Sequence, residues 1–269
     1  MAKGTRVNRL SLLPLLAGML TMVLALGAAV AAVQQTAAAA KTPVVVVKSL
    51  ATEAAKVNYP TYGADYQLFA GWLGQFFTYD EITDGDVAAG NLAGYKLAIL
   101  PNNAVLSAEE IAAIEEFVAG GGKVLAVFSV GLRDPSLKLV GLQLGDLMGV
   151  RWIQWMGDTS FQQIEVVDPG EVLAGAPLTI PVGTGSSQIV EVLPNGRMLA
   201  VRASKDGMMA MNNPAVIVES KAGIYFANHI LAGANLALPE VQELVYTIIK
   251  NYAPEAVKQA FAPVELAIE

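Results

Sequence analysis

The sequence has no cysteine and only one histidine, His229, in 269 residues. The missing thiols exclude a disulfide framework, a lipoprotein attachment cysteine, a thiolate zinc site and a cysteine nucleophile. Stability must therefore come from packing, and 54% hydrophobic residues against 15% charged can fill a large core. Positive charge is also scarce, with 17 Lys and Arg against 24 Asp and Glu. Three of the basic residues, Lys3, Arg6 and Arg9, precede residue 10, so the chain after position 40 holds 14 basic and 24 acidic residues, a net −10. An acidic domain without a basic cluster argues against nucleic acid or an anionic membrane surface as partner.

From Leu10 to Ala40 there is no charged residue at all. Behind the basic start, LSLLPLLAGMLTMVLALGAAVAAV reads as a hydrophobic leader helix. It is either a secretory signal or an N-terminal anchor that crosses the membrane through residues 10–33. Ala37 to Ala40 supply small residues where a signal peptidase can cut. Both readings divide the chain into a leader, 1–40, and a domain, 41–269, and place the domain outside the cytoplasm, secreted, periplasmic or anchored facing outward.

The stretch from Gly94 to Ser129 is a strand, turn, helix, turn, strand unit with nearly every boundary signalled. Lys96 to Leu100 is an apolar run closed by Pro101-Asn102-Asn103. Ser107 with Glu110 three residues on forms a capping box. Ile111, Ile114 and Phe117/Val118 recur at helical spacing, and Gly120 to Gly122 end the helix before the run Val124 to Phe128. Two buried strands joined by such a helix imply a right-handed parallel crossover.

Other segments extend the pattern. Pro43 to Lys48 reads as a buried first strand, Tyr62 to Phe77 as an aromatic-rich helix, and Thr78 to Ile82 as a short strand leading to an acidic loop, Asp80 to Asp86. Leu137, Val140, Leu144 and Leu147 on one face predict a helix over Ser136 to Met148. From Trp152 to Ala203 short β runs separated by turns predict an antiparallel extension, with Asn195-Gly196 as a tight hairpin. Pro214 to Glu219 and Gly223 to Asn228 read as a second hairpin, and Pro239 to Tyr252 as a final helix. The order is that of an α/β domain whose sheet is mostly parallel.

The lines YKLAILP, LSAEEIAAIEEFVAGGGKVLAV and PAVIVESKAGIYFA together resemble the class I glutamine amidotransferase-like superfamily. They are most similar to its non-amidotransferase branch, found as the trimerisation domain of family 42 β-galactosidases and in ThuA-like proteins. The resemblance covers roughly residues 43 to 252. It implies a flavodoxin-like, doubly wound sheet with its ligand cleft at the C-terminal ends of the parallel strands, and a carbohydrate-associated or oligomerising role. Catalytic members carry a cysteine on a sharp turn after the strand matching Val124 to Phe128, and a His and a Glu after the late strand. Here Ser129 stands at the turn and His229 beyond Gly223 to Asn228, but no Glu follows within two residues, and Asp134, Glu219 and Glu240 are not distinguished as partners for the imidazole.

Two functions follow for comparison. The first is a non-catalytic domain for binding or assembly, a pseudoenzyme whose partner is a protein, a glycan or further copies of itself. The second is a serine hydrolase using Ser129 and His229. A membrane-tethered accessory subunit of a transport or envelope system is a third arrangement. The edge residues Asn102, Asn103 and Arg133, together with Trp152 and Trp155 as a stacking platform, are the candidate ligand contacts, although strict alternation along a strand puts the two tryptophans on opposite faces. The acidic loop lacks the order of a calcium-binding hand, and no cofactor or metal is expected. Met208, Met209 and Met211 are candidates for the edge of a pocket or interface.

Overall fold

The structure is a computed structural model that describes residues 41–267 apart from 57–58, 158–160 and 210–211. The leader and Met211 lie outside the described residues. Among those described, no helix is long and apolar enough to cross a membrane.

The strands are β1 (Val44–Lys48), β2 (Asp80–Thr83), β3 (Leu97–Leu100), β4 (Lys123–Val127), β5 (Val150–Met156), β6 (Gln163–Val166), β7 (Thr179–Pro181), β8 (Ser187–Val192), β9 (Arg197–Ala203), β10 (Ala215–Ser220) and β11 (Gly223–Phe226). The helices are α1 (Leu50–Ala54), α2 (Tyr62–Phe76), α3 (Asp84–Ala88), α4 (Ala108–Ala119), α5 (Gly145–Met148), α6 (Gly233–Leu236) and α7 (Pro239–Tyr252). The main sheet runs in the order β2-β1-β3-β4-β11-β10-β9-β6-β7. Strands β2, β1, β3, β4 and β11 are parallel, while β10, β9, β6 and β7 continue the sheet antiparallel. This is the doubly wound α/β architecture with an antiparallel extension. β1, β3, β4 and β11 are almost wholly buried, as strands covered on both faces must be.

Local chemistry sets the elements. The Ser107 hydroxyl accepts from the Glu110 N–H at 3.2 Å, and the Glu110 carboxylate accepts from the Ser107 N–H at 2.8 Å, which fixes the start of α4. The aromatic residues of α2 meet α7 through Tyr246, whose ring lies 5.8 Å from Phe76 and 5.1 Å from Phe77. On the other side of the helix set, α3 packs on α4.

Four expectations are corrected. Residues 136–143 are not helical. The Asp134 carboxylate accepts from the N–H groups of Ser136 and Lys138, competing with a first helical turn, and Leu137 and Gly141 adopt left-handed φ of 64° and 87°. Only Gly145–Met148 coils. The Asn195-Gly196 turn does not close a hairpin, because β8 pairs with β5 in a separate ribbon and β9 joins the main sheet. The turn is instead pinned where Gly196 crosses Gly149, and a Cβ on Gly149 would lie 2.5 Å from the Gly196 Cα. The acidic stretch 80–86 forms β2 and the start of α3. Its carboxylates serve as structural acceptors, Asp86 for the nearby Thr83 N–H at 2.8 Å and Asp84 for the Ala51 N–H of α1 at 2.7 Å. Finally, β5 carries a bulge between Trp152 and Gln154. Trp152 pairs with Val190 and Trp155 with Gln188, two residues apart on β8, so the extra residue returns both tryptophans to one face.

Candidate functional site

Four parallel strands deliver the candidate residues to one edge. β1 leads to Ser49, β3 to Asn102 and Asn103, β4 to Phe128 and Ser129, and β11 to Asn228 and His229. The edge is tied together by side chains. Asn103 donates to the Val47 carbonyl at 3.1 Å, and the Asn102 side-chain oxygen accepts from the Ser129 N–H at 3.2 Å. Both asparagines are buried, so they hold strand ends together.

The sharp turn after β4 falls one residue earlier than the sequence pattern indicates. Phe128, not Ser129, takes the left-handed conformation, with φ of 62°. For a bulky side chain this backbone is strained by about 1–3 kcal/mol. It is held by the Phe128 N–H donating to the Phe226 carbonyl at 2.7 Å and by the Tyr225 hydroxyl donating to the Phe128 carbonyl at 2.8 Å. The Phe128 ring lies on the His229 imidazole, with centroids 4.9 Å apart and planes 11° from parallel.

Ser129 faces other partners. Its hydroxyl accepts from the Gln188 amide at 2.9 Å, and the Gln188 carbonyl accepts from the Trp152 indole at 2.7 Å. Tyr59 completes this cluster. Burial raises its hydroxyl above the usual tyrosine range, and the Arg133 guanidinium and Ser129 hydroxyl beside it oppose that shift. Arg133 also donates to the Leu137 carbonyl at 2.7 Å. Arg202, buried behind Gln188, is pulled down to about 10 by burial. No hydrogen bond joins Ser129 to His229 among the described residues. Trp155 stands apart from the cluster, with 58% of its surface exposed.

His229 belongs to a second environment. Burial lowers its pKa, and the charge of Asp65 on α2 partly offsets this, so the imidazole is held neutral. The Asp65 carboxylate accepts from the Gly233 N–H at 2.7 Å. Asp65 and His229 line a cleft of about 850 Å³ with Leu68, Trp72, Thr184, Ser186 and the start of α6 at Ala232 to Ala234. The buried Asn235 of α6 ties this wall together, donating to the His229 carbonyl at 2.8 Å and accepting from the Thr184 N–H at 2.8 Å.

Asp65, Tyr59, Gln188 and Phe128 are not among the candidate site residues that the sequence points to. Phe128 alone had a local signal, as the last residue of an apolar run at a predicted elbow. The others arrive from segments distant in the chain. Of the candidate contacts, the structure brings Asn102, Arg133 and Trp152 to Ser129, puts Asn103 beneath them, and sets His229 and Trp155 elsewhere.

No protein-family model and no curated protein sequence matches the chain. Solved structures similar in fold include the β-galactosidase from Rahnella sp. R3, with a TM-score of 0.60 and 15% identity over 78% of this chain and 31% of that one. The GH42 β-galactosidase Gan42B of G. stearothermophilus, as its E323A mutant, gives 0.54 and 15% over 69% of this chain and 27% of its own. A ThuA-like protein from Bacteroides uniformis gives 0.51 and 16%, covering 81% of this chain and 93% of that protein. The chain thus spans about a third of the length of the β-galactosidases it matches. At these identities the likeness is one of fold.

Proposed function

We propose that residues 41–269 form a non-catalytic, extracytoplasmic domain of amidotransferase-like fold that acts in binding or assembly and is carbohydrate-associated. The observation that carries this reading is Phe128 on His229. The strained turn that could present a nucleophile presents a hydrocarbon ring, and that ring covers one face of the only imidazole. A serine hydrolase needs a base in reach of its hydroxyl, whereas the Ser129 hydroxyl is bonded to an amide. The fold is one that also occurs within proteins described as β-galactosidases, which supports the carbohydrate connection as the mode of action to test first.

The deciding experiment combines a glycan array and sedimentation of the purified protein with a turnover screen on esters, amides and glycosides, run on wild type, Ser129→Ala and His229→Ala. The expected result is a glycan hit or a defined oligomer without turnover. Turnover that is abolished in both variants would overturn the proposal in favour of the hydrolase.

A further inference from the structure

The cleft beside His229 has an unusual polar inventory. Its volume, about 850 Å³, lies within the roughly 300–1,000 Å³ typical of small-molecule sites. Part of its wall is the face of α2 that carries Ala64, Asp65, Leu68 and Trp72; His229 and the start of α6, Ala232 to Ala234, also line it. Among the described lining residues Asp65 is the sole charged side chain. One of its oxygens is occupied by the Gly233 N–H, while the other, Oδ2, is buried with no partner. Trp72 is fully buried, and its indole N–H likewise lacks a partner. The wall of one cavity thus holds an unpartnered carboxylate oxygen and an unpartnered indole N–H, next to a neutral imidazole that can give or take one hydrogen bond.

Buried polar groups are costly unless paired, and a carboxylate oxygen is paired best by a charged donor. An anionic ligand would meet Asp65 with no basic lining residue to offset it. A plain alkylamine would leave the indole N–H unmet, and a neutral sugar would leave the carboxylate uncompensated. A molecule with a protonated amine beside ring hydroxyls answers both. Resting on the carbohydrate-associated reading above, we infer that this cleft is a binding site for an amino sugar, its ammonium on Asp65 and a hydroxyl oxygen on the Trp72 indole.

Calorimetric titration of the purified full chain tests this with four probes: glucosamine, N-acetylglucosamine, glucose and cyclohexylamine. Glucosamine should bind, and the other three should bind at least tenfold more weakly. Asp65→Asn keeps an oxygen for the Gly233 N–H and should cost tenfold or more in glucosamine affinity. Ala64→Trp, at an exposed position on the cleft wall, should block binding without touching the polar groups. Equal affinity for glucose and glucosamine, or an Asp65→Asn variant that binds as wild type, overturns the amine assignment and leaves carbohydrate binding intact. Cyclohexylamine binding as tightly as glucosamine overturns the sugar half. Glycans that bind the protein equally well with Ala64→Trp overturn the cleft as the site, and absence of glucosamine binding overturns it too; the broader reading falls as well only where the array gives no glycan hit and sedimentation shows no defined oligomer.

Discussion

Gln188 holds Ser129 from one end of its amide and Trp152 from the other, so a buried residue of the β5–β8 ribbon fixes a hydroxyl at the edge of the main sheet. Replacing it with Leu keeps the volume and removes both bonds. The buried hydroxyl and the half-buried indole are then left without these partners, at about 1–3 kcal/mol in the worst case for the hydroxyl and less for the indole. Gln188→Leu should lower the denaturation midpoint accordingly and change the Trp152 fluorescence. An unchanged midpoint would mean that water replaces the amide at no cost.

Phe128 offers an inversion of the usual order of substitutions. Alanine normally stabilises a chain relative to glycine, but at a φ of 62° the Cβ is the source of strain. Phe128→Ala and Phe128→Gly both lose the ring contact, yet the glycine variant should be the more stable by about 1 kcal/mol. Urea melts of the two side by side check this, and an alanine variant of equal or greater stability would show that the turn relaxes once the ring is gone.

His229 gives stability a pH dependence of known sign. Its folded pKa is depressed by burial, so the unfolded chain takes up a proton first as pH falls. The favourable contribution of the neutral imidazole is in place above the unfolded value of about 6.5 and is lost as pH falls towards the folded one. As no other histidine is present, the slope of midpoint against pH between about 7 and 5 should flatten in His229→Gln. A slope of the same sign that survives the substitution would assign it to a group other than Asp84 and Glu110, whose burial-raised pKa values make stability rise as pH falls.

Gly223 opens β11 at a φ of 135°, and a Cβ there would overlap the Val124 carbonyl oxygen of β4. Gly223→Ala must either separate two central parallel strands or strain the hairpin from β10. The expected loss is about 2–4 kcal/mol, read by thermal or urea unfolding. A loss under 1 kcal/mol would mean that the strands separate there with ease.

Much of the framework was written locally. The Ser107–Glu110 box, the β-branched run of β1 and the amphipathic 239–252 segment each state their own structure within a few residues, and each forms as expected. The structure departs from the local pattern where a distant residue decides. Leu137, Val140 and Leu144 have helical spacing, but a single carboxylate at Asp134 draws off the amides a helix would need. Asn195-Gly196 has the chemistry of a hairpin, but its flanking strands find different sheets, and nothing near the turn encodes Gly149. At the site, strand order brings the edge residues together, so Asn102, Arg133 and Ser129 were legible from their positions after strands. Asp65 was not, because its meaning depends on which face of α2 looks toward His229.

The place of β11 governs how the chain can assemble. It lies between β4, its parallel neighbour from the first half, and β10, its antiparallel neighbour from the second. Until residues 223–226 arrive, the sheet exists as two separate pieces with open, wholly apolar margins at Val124 to Val127 and at Ala215 to Val218. Such margins invite mispairing, and a sheet closed by contacts so far apart in sequence closes slowly. Truncation before Gly223 should therefore yield aggregates, not a smaller folded unit, and a chaperone that shields the incomplete sheet would act in the interval before its central strand is in place.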